Sequence, residues 1–307
     1  MPEPIFGVVD LGSNSVHLLV ARCDGRTIAP LVDLSEGVRL GEAVDDGGAI
    51  GAPKLAALLA TLGSYQAIAA EAGVPQLHLL ATHAIRVATD QAAVCAAIAA
   101  QTGRPVTVLS TDQEAALAFL GVMAGAPAGA PQVVVDIGGG SMQVVLGVGE
   151  TVWASRSWPL GAARVARSFL PDDPPTPADE QRLIAHLAAV LVPTLPPSPA
   201  PLAGAIGAGG TLRRLPELLG LAPGVPLPPD ALDAALVQLR GQPAGAIAAR
   251  TAIKPERARL LLPGVLLLHE VVRGYASPPL QVSIQGVREG AILALARGVA
   301  IESGATP

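Results

Sequence analysis

The chain has 307 residues, half of them hydrophobic, and a formal net charge of −5. That length suits two domains of roughly 150 residues, the apolar content excludes wholesale disorder, and the acidic balance argues against broad nucleic-acid binding, which needs a large excess of Lys and Arg. Cys23 and Cys95 are too few and too far apart for a disulfide framework or a zinc site.

The first predicted elements are strands. Ile5–Asp10 is a compact apolar run ending in an acid, Val16–Arg22 is a second, and Thr27–Val32 is a weaker third. The turn Leu11-Gly12-Ser13-Asn14-Ser15 makes a hairpin of the first two. Apolar spacing then predicts a helix over Pro53–Ala72, with Leu55, Leu58, Leu59, Leu62 and Ile68 on one side. A strand at Leu77–Ala81, a helix at Asp90–Gln101 and a strand at Pro105–Leu109 follow. Thr111 or Asp112 is the expected cap of a helix running to about Met123.

The segment Ala124–Pro131 is small, uncharged and rich in Pro and Gly, which marks a domain boundary. After it the opening pattern returns: strand Gln132–Asp136, turn Ile137-Gly138-Gly139-Gly140-Ser141, strand Met142–Gly147 and a third strand at Thr151–Ser157. Asp10-Leu-Gly-Ser-Asn-Ser15 and Asp136-Ile-Gly-Gly-Gly-Ser141 lie 126 positions apart in the same context, which predicts a duplicated domain. Helices are expected near Gly161–Phe169 and Pro177–Leu191. Strand Leu202–Gly207 runs through Ala208-Gly209-Gly210-Thr211 into helix Leu212–Leu219. After the loop Pro223–Pro229 come helices at Asp230–Arg240 and Pro255–Gly274, strand Gln281–Ile284 and a closing helix Val287–Ile301.

Two uncharged stretches, Ala115–Val135 and Leu187–Leu212, are long enough to span a bilayer by count. Gly125, Pro127, Gly129 and Pro131 break the first, and five prolines break the second. The N-terminus lacks the basic start of a signal peptide. The expectation is a soluble, cytoplasmic protein that binds neither membrane nor nucleic acid.

The chemistry concentrates in the turns. A Gly-bearing strand–turn–strand lets backbone N–H groups reach phosphate oxygens. An Asp at the strand end can hold a hydrated divalent ion, and Ser and Asn add donors. One such turn also reads as a Gly-rich hairpin whose Asp caps its own loop; two of them favour a grip on a phosphate chain. The third, Ile206-Gly207-Ala208-Gly209-Gly210-Thr211, leaves a strand and enters a helix, which suits either an anion or an ordinary strand–helix turn.

Taken together, Asp10-Leu-Gly-Ser-Asn-Ser15, Ala81-Thr-His-Ala-Ile-Arg86, Glu114-Ala115, Asp136-Ile-Gly-Gly-Gly-Ser141, Gly209-Gly-Thr211 and Gly286-Val-Arg-Glu-Gly290 resemble the Ppx/GppA phosphatases in content and order. These are the exopolyphosphatases and guanosine pentaphosphate phosphohydrolases of the actin-like, sugar kinase and Hsp70 superfamily. The resemblance implies an α/β fold of two actin-like (ribonuclease H-like) domains with an interdomain active-site cleft. Domain I would be residues 1–124, with the C-terminal helix, about 287–303, packing back onto it, and domain II residues 125–307. The chain looks like a short, two-domain member, for which a homodimer is one expected assembly.

The resemblance also assigns roles. Glu114 falls on the catalytic base. Asp136 and Asp10 fall on the acids that hold Mg²⁺ (or Mn²⁺). Gly12, Ser13, Asn14, Ser15, Arg86, Gly138, Gly139, Gly140, Ser141, Gly209 and Gly210 fall on phosphate-binding positions. The implied activity is release of orthophosphate from the end of inorganic polyphosphate. The alternatives are removal of the 5′-phosphate of guanosine pentaphosphate, or a sensor that binds and barely turns over.

This sequence departs from the family pattern at Met142-Gln143, where the family has Thr-Glu, at Gln113, the first of a Glu pair, and at Asp90, an expected Asn. Only Lys54 and Lys254 are lysines, so further phosphate contacts fall to arginines, with Arg22, Arg39, Arg164 and Arg167 as candidates.

Overall fold

The computed structural model describes residues 3–126, 129–222 and 224–304. Pro127 and Ala128 of the expected boundary, and Pro223 of the second loop, lie outside the described residues. The chain forms two compact units. One holds the residues up to Ala124 together with those from Gln285 onward, and the other is Gly125–Ile284.

The first unit opens with β1 (Ile5–Leu11), β2 (Val16–Cys23), β3 (Ile28–Glu36), α1 (Leu40–Gly47) and α2 (Gly51–Glu71). It continues with β4 (Leu77–Ala81), α3 (His83–Val87), α4 (Gln91–Thr102), β5 (Val106–Val108) and α5 (Thr111–Met123). The second unit begins with β6 (Gln132–Ile137), β7 (Met142–Val148), β8 (Thr151–Trp158), α6 (Ala162–Phe169) and α7 (Pro177–His186). Then come β9 (Gly204–Ala208), α8 (Leu215–Leu218), α9 (Ala231–Leu239), α10 (Ala244–Arg250), α11 (Pro255–Ala258), α12 (Leu261–Gly274) and β10 (Leu280–Val282). The last helix, α13 (Val287–Ala296), belongs to the first unit.

The two sheets share one topology. The first is ordered β3-β2-β1-β4-β5 and the second, read from the matching edge, β8-β7-β6-β9-β10. In each, the first three strands are antiparallel and the last two run parallel to the first. The registers also match. Asp10 sits opposite His17 and Leu80, and Asp136 sits opposite Gln143 and Ala208. The third Gly-rich motif is therefore the counterpart of Ala81-Thr82-His83: both follow the strand that runs parallel beside the Asp-bearing strand.

Several boundaries move from their sequence expectations for local reasons. The cap of α5 is Ser110, not Thr111 or Asp112. Its hydroxyl accepts from Gln113 N, and the Gln113 side chain accepts from Ser110 N, a capping box that leaves Thr111 inside the first turn. Residues 212–219 form a 3₁₀ turn, Leu212–Arg214, and the single-turn α8 in place of one helix, with Pro216 starting the second piece. The 255–274 stretch is split into α11 and α12, each with a proline in its first turn. The helix from Pro177 passes into a π-turn at Leu187–Leu191. The closing helix ends at Ala296 because Gly298 turns left-handed (φ 74°) and Val299 N closes onto Ala294 O. Helices α1, α3 and α10 lack a long apolar period and were not expected. Among the described residues no helix is long and apolar enough to cross a membrane.

Strands β1, β2 and β4 of the first sheet are buried on both faces, so period-2 alternation sorts their residues between two cores, whereas the edge strand β3 is largely exposed. Val9, Leu11, Leu18, Val20 and Leu79 pack with Leu58 and Leu62 of α2 and Val94 and Ile98 of α4. Val8, Leu19, Ala21 and Leu80 face the other way, with Leu117 of α5 and Ile292 and Leu293 of α13. In the second unit α12 is apolar from Leu261 to Leu268 and buried nearly all round, with Glu270 a buried acid near its end.

Helices α5 and α13 approach at backbone distance. A Cβ on Gly121 would stand 2.7 Å from Gly290 N, and one on Gly290 would fall onto the Leu117 carbonyl. Only hydrogen fits there. Gly290→Ala is therefore expected to destabilise the chain by roughly 3 kcal/mol or more, read as a lower midpoint in a denaturant melt; an unchanged midpoint would refute the contact.

Candidate active site

The first turn, Gly12–Ser15, joins β1 to β2. Gly12 closes tightly over it, since a Cβ there would lie 2.8 Å from Ser15 O and near both Asp10 oxygens. From behind, Arg39 N donates to Asn14 O (2.9 Å) and Gly41 N donates to Ser13 O (2.7 Å). These donors belong to the N-terminus of α1, where backbone N–H groups lack helical partners. Arg39 takes a left-handed backbone (φ 57°) to present its N–H.

The second turn, Gly138–Ser141, is held in the same manner by α6. Ala162 N donates to Gly138 O (2.9 Å), and Ala163 N and Arg164 N both donate to Gly139 O (3.1 Å each). Gly161 is required because a Cβ would collide with the Gly139–Gly140 peptide. In a trans peptide C=O and N–H point opposite ways. Capturing these carbonyls therefore turns the N–H groups of Asn14 and Ser15, and of Gly139 and Gly140, away from the helices. Each turn thus presents consecutive donors on one side, a nest suited to phosphate oxygens.

Asp136 is buried at the end of β6. Gly209, with φ 101°, lets the next strand end pass close to it: a Cβ there would stand 3.0 Å from Asp136 Oδ1 and inside contact with the Ile137 carbonyl. Gln143, almost fully buried, is Asp136's cross-strand neighbour, and its Nε2 donates to Ser141 Oγ (3.1 Å). A carboxylate, a hydroxyl and peptide groups make a hard oxygen set. Among the described residues no three His, Cys, Asp or Glu side chains gather to hold an ion. That donor set fits a hard divalent cation held by one or two carboxylates plus substrate phosphate oxygens. Gly210 follows Gly209, with open space where a Cβ would stand.

Glu114 lies in the first turn of α5, buried, and pairs with Arg86 of α3: Nη1 donates to Glu114 Oε2 at 2.8 Å and to Leu109 O at 2.7 Å. So a predicted base and a predicted phosphate ligand touch each other directly. Gln113 has a structural task. Its amide completes the capping box, and its Nε2 donates to Glu302 O. Asp90 is structural as well, accepting from Ile50 N (2.9 Å) and Gly51 N (3.0 Å) at the start of α2.

Sequence reading left Arg288 without a role, although it lies in the Gly286–Gly290 motif. It is buried, bonded to Asp33 (2.5 Å) and near Glu289 (3.4 Å). Burial works against its charge, yet Glu289, Asp33 and Asp10 together hold its pKa above the ordinary arginine value. Arg288 thus places a fixed positive charge in the field of Asp10. A signal was available: an adjacent Arg-Glu pair in an otherwise apolar closing helix. Of the other arginine candidates, Arg164 is drawn below its ordinary pKa by burial, Arg167 lies in the last turn of α6, and Arg22 lies on β2.

The Ppx/GppA phosphatase family model matches residues 19–297. Exopolyphosphatase 1 of Mycobacterium tuberculosis is 31% identical over 301 residues, covering 94% of this chain and 87% of that protein. The crystal structure of the Aquifex aeolicus Ppx/GppA family member superposes with a TM-score of 0.82 at 25% identity, over 96% of this chain and 99% of that one. An exopolyphosphatase structure from Cytophaga hutchinsonii, at 23% identity, shares the fold with a TM-score of 0.87, over 97% and 100%. The chain belongs to the Ppx/GppA phosphatase family, and with it to the phosphoanhydride hydrolases.

Desolvation alone would raise the Asp90 pKa, but the N–H bonds from Gly51 and Ile50 outweigh it and the net shift is downward. A lowered folded-state pKa stabilises the fold above the unfolded-state value and is lost as pH falls through the folded value. Asp90→Ala should therefore cost about 1 kcal/mol at neutral pH, and the difference from wild type should shrink as the pH falls through and below the ordinary carboxylate range. Thermal melts across pH would test this; a pH-independent gap would contradict it.

Proposed function

We propose that the chain is an exopolyphosphatase that hydrolyses the terminal phosphoanhydride bond of inorganic polyphosphate and releases orthophosphate. The observation that carries this reading is Glu114: a buried carboxylate at a capped helix start, bonded to an arginine. An acid is retained inside a unit at that desolvation cost when its charge is used. Relatives named exopolyphosphatases match over 94% of the chain, against 71% for one named guanosine-5′-triphosphate,3′-diphosphate pyrophosphatase, which supports polyphosphate over guanosine pentaphosphate.

In this reading Glu114 orients a water and takes its proton as the water oxygen attacks the terminal phosphorus in line. The bond from that phosphorus to the bridging oxygen breaks, and the shortened chain leaves with the electron pair. Little covalent work falls to the protein, so positioning and charge neutralisation dominate. The N–H groups of Gly12–Ser15 and Gly138–Ser141, with Gly209 and Gly210, bind phosphate oxygens, and Arg86 adds a charged donor. Mg²⁺ held by Asp136 and Asp10 supplies, when bound, further neutralisation of phosphate charge. A cytoplasmic site of action goes with this reading, supported by two free thiols.

A second reading, a binding protein with slow turnover, is favoured by Gln143. Its amide takes the place of a carboxylate beside Asp136 and so removes one negative charge from the ion's surroundings.

Glu114→Gln should lower phosphate release from polyphosphate by a factor on the order of 10³ while polyphosphate binding persists; undiminished release would end the assignment. The same assay on guanosine pentaphosphate at equal phosphoryl concentration decides between substrates. Gln143→Glu restores a charge and should reduce the Mg²⁺ concentration for half-maximal activity about tenfold. Binding with no release by either wild type or Gln143→Glu would establish the sensor.

A further inference from the structure

The pairing of Arg86 with Glu114 carries more than phosphate binding. Arg86 Nη1 has two hydrogens, and the bonds to Glu114 Oε2 and Leu109 O use both. Leu109 immediately precedes Ser110, the cap of the helix that bears Glu114. One nitrogen thus ties the carboxylate to the root of its own helix, closing a rigid loop. The side chains of both partners are 8% exposed. The backbone of Arg86 is fixed in turn: its N donates to Thr82 O (3.0 Å), and Gln91 Nε2 donates to the carbonyls of Arg86 (3.0 Å) and Ile85 (3.2 Å).

The second terminal nitrogen, Nη2, is buried and has no hydrogen-bond partner among the described residues. A buried cationic donor left unsatisfied is costly and calls for an anion. Because the guanidinium is planar and rigid, whatever Nη2 binds is fixed in orientation relative to whatever Nη1 holds.

We propose that Arg86 is a positioning residue for Glu114: Nη1 aims the base while Nη2 takes an oxygen of the phosphoryl group under attack, so that one guanidinium sets base and phosphorus relative to each other. This rests on the reading of Glu114 as the base. Lysine cannot replace it, since a single ammonium supplies the charge without the planar fork.

The test is a double-mutant cycle on full-length protein, with Arg86→Lys, Glu114→Asp and both together. Phosphate release from polyphosphate is measured beside equilibrium polyphosphate binding, with melts to confirm folding. Glu114→Asp withdraws the carboxylate from Arg86 and leaves measurable turnover. Arg86→Lys alone should lower kcat about a hundredfold, with the Kd for polyphosphate rising less than about tenfold. Added to Glu114→Asp, it should cost clearly less than it does in wild type, because the aiming contact is already gone and only the phosphoryl contact of Nη2 remains to be lost. Gln91→Ala keeps both charges and loosens only α3; it should lower kcat several-fold with Kd within about twofold, and it serves where Arg86→Lys folds poorly. Rate losses that multiply in the double variant, or a weaker Kd at unchanged kcat, would overturn the proposal and leave Arg86 a phosphate anchor alone. Wild type inactive on both polyphosphate and guanosine pentaphosphate would instead refute the base assignment itself, and this proposal with it.

Discussion

A peptide group cannot turn its carbonyl and its N–H to the same side, and both Gly-bearing turns of this chain are built on that constraint. Helix N-termini usually attract anions through unpartnered N–H groups. Here the N-termini of α1 and α6 spend those donors on turn carbonyls: Ser13 and Asn14 in one unit, Gly138 and Gly139 in the other. The turn, not the helix, then presents N–H groups on its outer side, held fixed. The glycine at position 161 and the left-handed Arg39 follow from this need, since both let a helix start close enough to reach the turn. The repeated sheet topology supplies the same scaffold twice, with an Asp one residue before the end of each central strand.

The buried charges of the first unit are few, and each is placed among partners. Burying an ion is costly unless partners surround it. Arg86 is held by Glu114 and Leu109 O, and Arg288 by Asp33 and Glu289 within the field of Asp10. These are guanidinium groups in a chain with only two lysines. A planar fork can hold two partners in fixed relation, whereas an ammonium on a flexible stem holds one point of charge. Arginine usage here therefore tracks geometry at the site as well as overall composition.

The strands and the duplicated turns were legible because they leave dense local signals: continuous apolar runs, Asp at the strand end, Gly-Gly-Gly-Ser. The short helices were not. Helix α3 has five residues and no room for an apolar period, yet it carries Arg86. The cap of α5 was misplaced by one residue because Ser110, Thr111 and Asp112 are all good caps, and only the reciprocal bond to Gln113 selects Ser110. The meeting of Arg86 with Glu114 spans 28 positions and follows from the parallel pairing of β4 with β5, which no local pattern encodes. Gly290 belongs to a sequence motif that gives no reason for it, and only the crossing of α5 with α13 shows why a side chain is excluded there and at Gly121.

The two glutamines that replace family glutamates obey one rule. An amide gives up a charge and gains a donor. At Gln113 the gain is plain: Nε2 reaches Glu302 O and ties the tail after α13 beside β5, where Ser303 Oγ accepts from Val108 N and Gly304 N donates to Val108 O. A glutamate could close the capping box but could not make that tether. At Gln143 the donor goes to Ser141 Oγ, next to a phosphate-facing N–H and one strand from Asp136. That bond fixes the hydroxyl as an acceptor toward Gln143, so its own hydrogen is free to point elsewhere, toward an oxygen of a bound anion. The first exchange therefore strengthens the fold. In the proposed reading, the second trades affinity for a cation against a better oriented donor for a phosphate.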